Sequence, residues 1–336
     1  MRIQLRGIAI VLATALLSGS VGQFADAAPQ KQLTIYSGRE EKIMAPLIAK
    51  AKKALGMDIQ VRYGDSTELA IALIEEGKNS PADLFYAQDA GALGAVVKEN
   101  LAMPLPTQLL NKVDAQFRSP TGQWVGISGR ARVIDYNTKL VKPSELPTSV
   151  MELTHPKWRG KVGWAPTNGS FQAFVSAMRI MQGDPKTLSW LKAMKANGAK
   201  SYGGNSAIVE ALGKGEIALG LVNNYYVYRF KTKDPNFPVA IHHTNGDAGS
   251  LINVAGLTVL KTTDQKNDAE KFVAYLLSAE AQKFLTEQFY EYPLVRGIPV
   301  SQNQLPLSKL KHPQLDLVQL SDLKGTLALI QEAGLL

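Results

Sequence analysis

Leu33-Thr34-Ile35-Tyr36-Ser37-Gly38-Arg39 opens the pattern that decides the fold class. Leu33 to Tyr36 has strand-forming residues, and Ser37-Gly38-Arg39 reads as the turn that follows. From Glu40 to Leu55 apolar residues recur at helical spacing, with Ile43, Leu47, Ile48 and Ala51 on one face. Asp58 to Tyr63 is a second strand. Asp65 precedes Glu68 at capping-box spacing and opens a helix to about Glu76. Pro81-Ala82-Asp83-Leu84-Phe85-Tyr86 is a third strand, with Gln88 and Asp89 on its exit loop. Strands that alternate with helices in this way predict an α/β fold with a parallel sheet and right-handed crossovers.

Further along, Trp124 to Ser128 and Ala131 to Tyr136 read as two strands with Arg130 between them. Gly160 to Trp164 is another strand, and Ala165-Pro166-Thr167-Asn168-Gly169-Ser170 is a loop that opens a helix near Phe171. Helices are expected over Leu188 to Ala196 and from Asn205 to Leu212. Ile217 to Val222 is a short apolar run, read as a buried strand. Val239 to His243 and Leu251 to Leu260 are strands, and Asp268 to Leu277 and Ala279 to Gln288 are helices. Glu291-Tyr292-Pro293-Leu294 and a helical tail complete the chain.

The start of the chain reads as a leader. Met1 to Arg6 is basic, Gly7 to Gly19 is apolar, and Ala25-Asp26-Ala27 is a small-x-small cleavage site, so residues 1–27 read as a secretory signal peptide. Its apolar core is too short to span a bilayer. The chain has no cysteine, which excludes a disulfide scaffold, N-terminal acylation and a cysteine nucleophile. An exported monomer in a Gram-negative periplasm is the expectation. The formal charge is +8, of which the leader holds +1. No Lys/Arg run or basic-aromatic interleaving points to nucleic acid, so the positive field weakly favours anionic ligands.

The chemistry concentrates in Asn223-Asn224-Tyr225-Tyr226, directly after the apolar run. Ligands of α/β sheets bind at the carboxyl ends of strands. Two phenols there would give two oxygen donors to a hard cation once deprotonated. Tyrosine pairs also occur as half-buried packing residues with a wet hydroxyl, and the residues alone leave both readings open.

Four motifs carry a resemblance over the whole mature chain. They are Asn223 to Tyr226, Ser128-Gly129-Arg130-Ala131-Arg132, Ala165 to Gly169, and Glu291 to Leu294. With the opening strand and Pro-Ala-Asp-Leu-Phe, they resemble periplasmic ferric-iron-binding proteins, the "bacterial transferrins". The resemblance implies a two-lobed clamshell of the type II periplasmic binding fold, each lobe a mixed sheet flanked by helices. Its expected division is 28–131 plus 250–298 for the first lobe and 132–249 plus 299–336 for the second. It implies ferric iron held by Tyr225 and Tyr226 and passed to an inner-membrane ABC permease and its ATPase.

Departures from the family pattern bear on the remaining ligands. Where relatives use a histidine, Glu40 stands; where they use a glutamate, Gln88 stands; and Asn168 and Phe171 occupy a loop that holds a tyrosine in some members. The chain therefore looks like the subgroup that uses an anion such as carbonate. Arg39 and Arg130 would offer it guanidinium forks. The backbone at Asn168, Gly169 and Ser170 would add helix-start amides. Tyr36, Glu40 and Asp89 are further oxygen donors. Glu40 also reads as an acid favoured by its helix dipole, the arginines as salt-bridge residues, and Asn205 and Asn223 as anion donors or helix caps.

His242 and His243 are neighbours in a strand and point to opposite faces, so they cannot readily share a metal. No nucleophile elbow or phosphate-cradling loop appears, which argues against an enzyme. A receptor for an oxyanion, a polyamine or an iron chelate is the alternative within the same fold, because fold alone does not separate these ligands.

Overall fold

The computed structural model describes residues 32–301 and 304–336. The expected signal peptide lies outside the described residues. Among those described, no helix is long and apolar enough to cross a membrane.

The chain alternates β1 (Leu33–Ser37), α1 (Glu41–Leu55), β2 (Ile59–Tyr63), α2 (Ser66–Glu76), β3 (Leu84–Ala87) and α3 (Ala90–Lys98). A one-turn α4 (Thr107–Leu110) precedes the long β4 (Val125–Asn137). Then come β5 (Val162–Trp164), α5 (Gly169–Gln182), α6 (Asp184–Ala196), β6 (Lys200–Ser201), α7 (Asn205–Lys214), β7 (Leu219–Asn223) and α8 (Tyr226–Lys231). The remainder is β8 (Val239–His242), β9 (Ile252–Val259), α9 (Lys266–Leu276), α10 (Ala279–Phe289), β10 (Tyr292–Pro293) and α11 (Leu323–Glu332).

β1 pairs in parallel with both β2 and β3, as the opening pattern predicts. The strand order is β2-β1-β3-β9-β4-β7-β5-β6, with β8 and β10 also on β4. Asp65 caps α2, its side chain accepting from the Thr67 amide, and Gly56 ends α1 in the left-handed conformation at φ 64°.

The region expected to hold two strands is one, and this corrects the reading that broke it at Arg130. All thirteen residues of β4 are buried. From Val125 to Ala131 it pairs with β9, and from Arg132 to Tyr136 with β7. Gly129 and Arg130 look like a break in sequence, yet both stay in the ladder because β9 remains beside them. Residues 128, 130 and 132 share one face of the strand, so two arginines of an apolar run point the same way.

Gln88 and Asp89 form the exit loop of the third strand, as the sequence reading places them. A helix that the reading did not include follows them at once, with Asp89 accepting from the Ala92 amide as its cap. Gly91 and Gly94 weaken the helical signal in sequence, and packing explains both. A Cβ at Gly91 would lie 2.6 Å from the Leu320 carbonyl oxygen, and one at Gly94 would lie 2.9 Å from the Ser321 Cβ. The tail thus lies directly on α3, and α11 beyond it packs on α5 and α6.

Candidate functional site

β7 ends at Asn223, which pairs with Arg132 across the ladder. The chain then turns at once into α8, which puts Tyr225 and Tyr226 beside the arginine face of β4. Asn224 fixes that turn. Its amide donates to the Ala131 carbonyl at 3.0 Å, its side-chain oxygen accepts from the Ala131 amide at 2.9 Å, and its side-chain nitrogen donates to the Tyr290 carbonyl at 3.3 Å. The two asparagines are therefore not helix caps. Asn223 belongs to the strand with its side-chain nitrogen unpartnered, and Asn224 binds the turn to the strand it follows.

The tyrosine rings stack at 4.4 Å between centroids, and the Arg229 guanidinium lies over both, at 5.2 Å from Tyr225 and 4.9 Å from Tyr226. Both rings are buried. Burial, with Tyr225 and Glu40 adding to it, pushes the Tyr226 phenol well above its ordinary range, so a proton is held until something displaces it. The Tyr226 hydroxyl reaches Glu40 at 3.5 Å, and Glu40 also meets Arg229 at 3.6 Å. Glu40 occupies the cap position of α1 without making a side-chain cap bond.

Three guanidiniums, Arg39, Arg130 and Arg132, are each only 2% exposed. Arg39 pairs with Glu291, whose other oxygen accepts from the Ser128 hydroxyl. Burial pulls Arg39 down, but Glu291, Tyr86 and Tyr225 outweigh it and hold the group above its usual value. Arg130 has no such partner, and burial lowers it. Burial takes Arg132 down to about 9, against the pull of Tyr226. Arg132 donates to the Leu221 carbonyl at 2.8 Å and lies over Phe171 and Phe174. Several buried donors in this region have no protein partner: Arg39 Nε, both terminal nitrogens of Arg130 and Arg132 Nε. Unmet donors on buried cations are the chemistry of an anion site.

Around them, Asn168 caps α5 and accepts from the Ser170 amide at 3.1 Å and its hydroxyl at 2.6 Å. Asn205 donates to that hydroxyl at 3.2 Å and also bonds Tyr226. The cap of α7 is Gly204, so the capping reading of Asn205 is corrected. A Cβ on Gly169 would stand 3.5 Å from an Asp65 carboxylate oxygen, so α5 begins close to α2. Asp89 is buried near Arg130, and its burial raises its carboxyl. The Gln88 amide donates to Ser66 at 2.8 Å.

Tyr36 is not brought to the pair. Its hydroxyl donates to Glu76 at 3.1 Å and accepts from Arg62 at 2.9 Å. Tyr86 and Arg229 are residues that sequence reasoning missed, and Glu291, quoted there only within a motif, was given no role in the site. Tyr86 pairs in register with Ser37, and Tyr36 with Phe85, so the two tyrosines leave opposite faces of the sheet. Among the described residues no group of three or more His, Cys, Asp or Glu could hold a metal.

A family model for bacterial extracellular solute-binding proteins matches residues 79–316. The chain belongs to that family. The major ferric iron-binding protein of Neisseria meningitidis serogroup A is 33% identical over 308 residues, covering 90% of this chain and 93% of that protein. The Fe(3+)-binding periplasmic protein of Serratia marcescens is 31% identical over 340 residues, covering 100% and 99%. The crystal structure of iron-bound HitA from Pseudomonas aeruginosa aligns with a TM-score of 0.86 at 32% identity, covering 90% of this chain and 99% of that one. This solute-binding protein therefore has the two-lobed type II architecture, a mixed sheet flanked by helices.

Proposed function

We propose that this solute-binding protein is a periplasmic receptor for ferric iron that delivers it to an ABC permease and its ATPase. The observation that carries the reading is the stacked Tyr225–Tyr226 pair beside buried guanidiniums with unmet donors. Ferric iron is small, hard and highly charged, and it displaces phenol protons to make strong phenolate bonds. Tyr225 and Tyr226 are the protein's ligands, and Glu40 is the carboxylate within reach of Tyr226. Arg39 and Arg130, with the Gly169 amide at the start of α5 and the Asn205 and Asn223 side chains, hold an anion such as carbonate that completes the shell.

In this reading residues 28–131 plus 250–298 close on residues 132–249 plus 299–336. Iron and its anion bridge the two lobes, and closure presents the surface that the permease reads. The relatives are named for iron binding rather than for a reaction, which favours a receptor over an enzyme. A receptor for an oxyanion alone is the second reading, and the uncompensated arginines favour it.

Titrating the apo-protein with ferric nitrilotriacetate, in bicarbonate and in bicarbonate-free buffer, separates the two. One iron bound per chain, and more tightly with bicarbonate, is the expected result. Calorimetric heat with oxyanions but no iron uptake would overturn the iron reading.

A further inference from the structure

Glu291 carries the inference. Among the described residues, its pair with Arg39 is the one ion pair with both side chains at 1% exposure, and every other has a partner in solvent. Both carboxylate oxygens are engaged, by Arg39 and by the Ser128 hydroxyl. The backbone is fixed as well. Thr286 donates to the Glu291 carbonyl at 3.0 Å, and the next two residues pair with Gly129 and Ser128 of β4. This carboxylate has no freedom to swing into the cleft as a ligand.

Its effect is on charge and on aim. Arg39 and Arg130 lie near Glu291, the one carboxylate engaged by a buried guanidinium here, and Arg132 lies near the buried Asp135. Burial raises both Asp135 and Asp89, and Asp89 is also bonded to the α3 amides, so these two acids offset less. Glu291 cancels one of three cationic charges and takes one nitrogen of Arg39, while Arg39 Nε keeps no protein partner. Tyr86, fully buried beside the same pair and bonded to Ser128, adds a polar group without adding charge. A site built this way ranks anions by charge as well as by shape.

We infer that Glu291 is a specificity-determining positioning residue: by fixing Arg39 and cancelling its charge, it makes the site favour a small dianion over a tricarboxylate. This rests on the proposed reading that iron binds here together with an anion.

The test measures ferric affinity by chelator competition in carbonate, phosphate and citrate, for wild type, Glu291→Gln, Arg130→Gln and Tyr86→Phe, with circular dichroism to confirm folding. Removing the negative charge should raise the citrate-to-carbonate affinity ratio by about tenfold or more, the effect of one nearby unit charge at intermediate dielectric. Arg130→Gln, which removes an unpaired cation and so is not expected to compromise folding, should move the ratio the opposite way. Tyr86→Phe should weaken all three anions together and leave the ratio unchanged. An unaltered ratio in folded Glu291→Gln overturns the inference. If that variant does not fold, an unchanged or raised ratio in Arg130→Gln overturns it instead. No iron uptake by wild type with any anion would refute the iron reading itself, which is a different failure.

Discussion

Replacing Asn224 with alanine probes how the tyrosine pair is held. Asn224 is 1% exposed, and its side chain satisfies two backbone groups, the Ala131 amide at 2.9 Å and the Tyr290 carbonyl at 3.3 Å. The two losses are unequal. Tyr290 keeps a second donor in Gln304, whereas the Ala131 amide sits in the strand interior and would be left without an acceptor. A buried orphan donor costs about 1–3 kcal/mol, and the lost second bond adds about 0.5–1 kcal/mol. We expect Asn224→Ala to destabilise the protein by about 1.5–4 kcal/mol, which for a chain of this size lowers Tm by about 2–6 °C. Urea unfolding followed by tryptophan fluorescence measures the change. Ferric affinity should fall in the same variant, because the turn it secures carries Tyr225. A destabilisation below about 0.5 kcal/mol, as at an ordinary surface position, would refute the assignment of Asn224 as the tie between β7 and β4.

Two further outcomes are expected. Tyr36→Phe should leave ferric affinity within about twofold of wild type and cost about 1 kcal/mol of stability at most, since its hydroxyl serves Glu76 and Arg62; a large loss of affinity in competition titration would return Tyr36 to the site. His243 is half-buried and lowered to about 4, from an ordinary value near 6.5, so the fold favours its neutral form. Protonation then favours the unfolded chain, and its contribution is complete above pH 6.5 and lost as the pH falls towards 4. Urea midpoints should show His243→Gln losing about 2 kcal/mol less than wild type between pH 7 and 4.5, allowing for the partial exposure of the ring; equal losses would contradict this.

Much of the fold was legible because local signals agreed. The first three strands and two helices follow period and capping, and their parallel register came with them. The error at β4 has a physical cause. A strand whose polar face meets the tyrosine pair and whose backbone is paired throughout carries glycine and arginine where a turn would also carry them. At the site, the tyrosine pair was legible because two adjacent phenols after an apolar run are unusual. Tyr86 and Glu291 were not, because their importance depends on Arg39, which is 252 residues from Glu291 in sequence. Only tertiary structure brings such partners together. Tyr36 shows the converse: it ends its strand as a ligand would, but α2 supplies Glu76 and removes it from the cleft.

The most direct measurement is the visible absorption spectrum of the purified protein after addition of ferric salt and bicarbonate. Phenolate bound to ferric iron gives a broad visible charge-transfer band. The account predicts that band in wild type and its loss in the folded double variant Tyr225→Phe/Tyr226→Phe. A folded wild type that takes up no iron and shows no band, or a double variant that retains both, would contradict it.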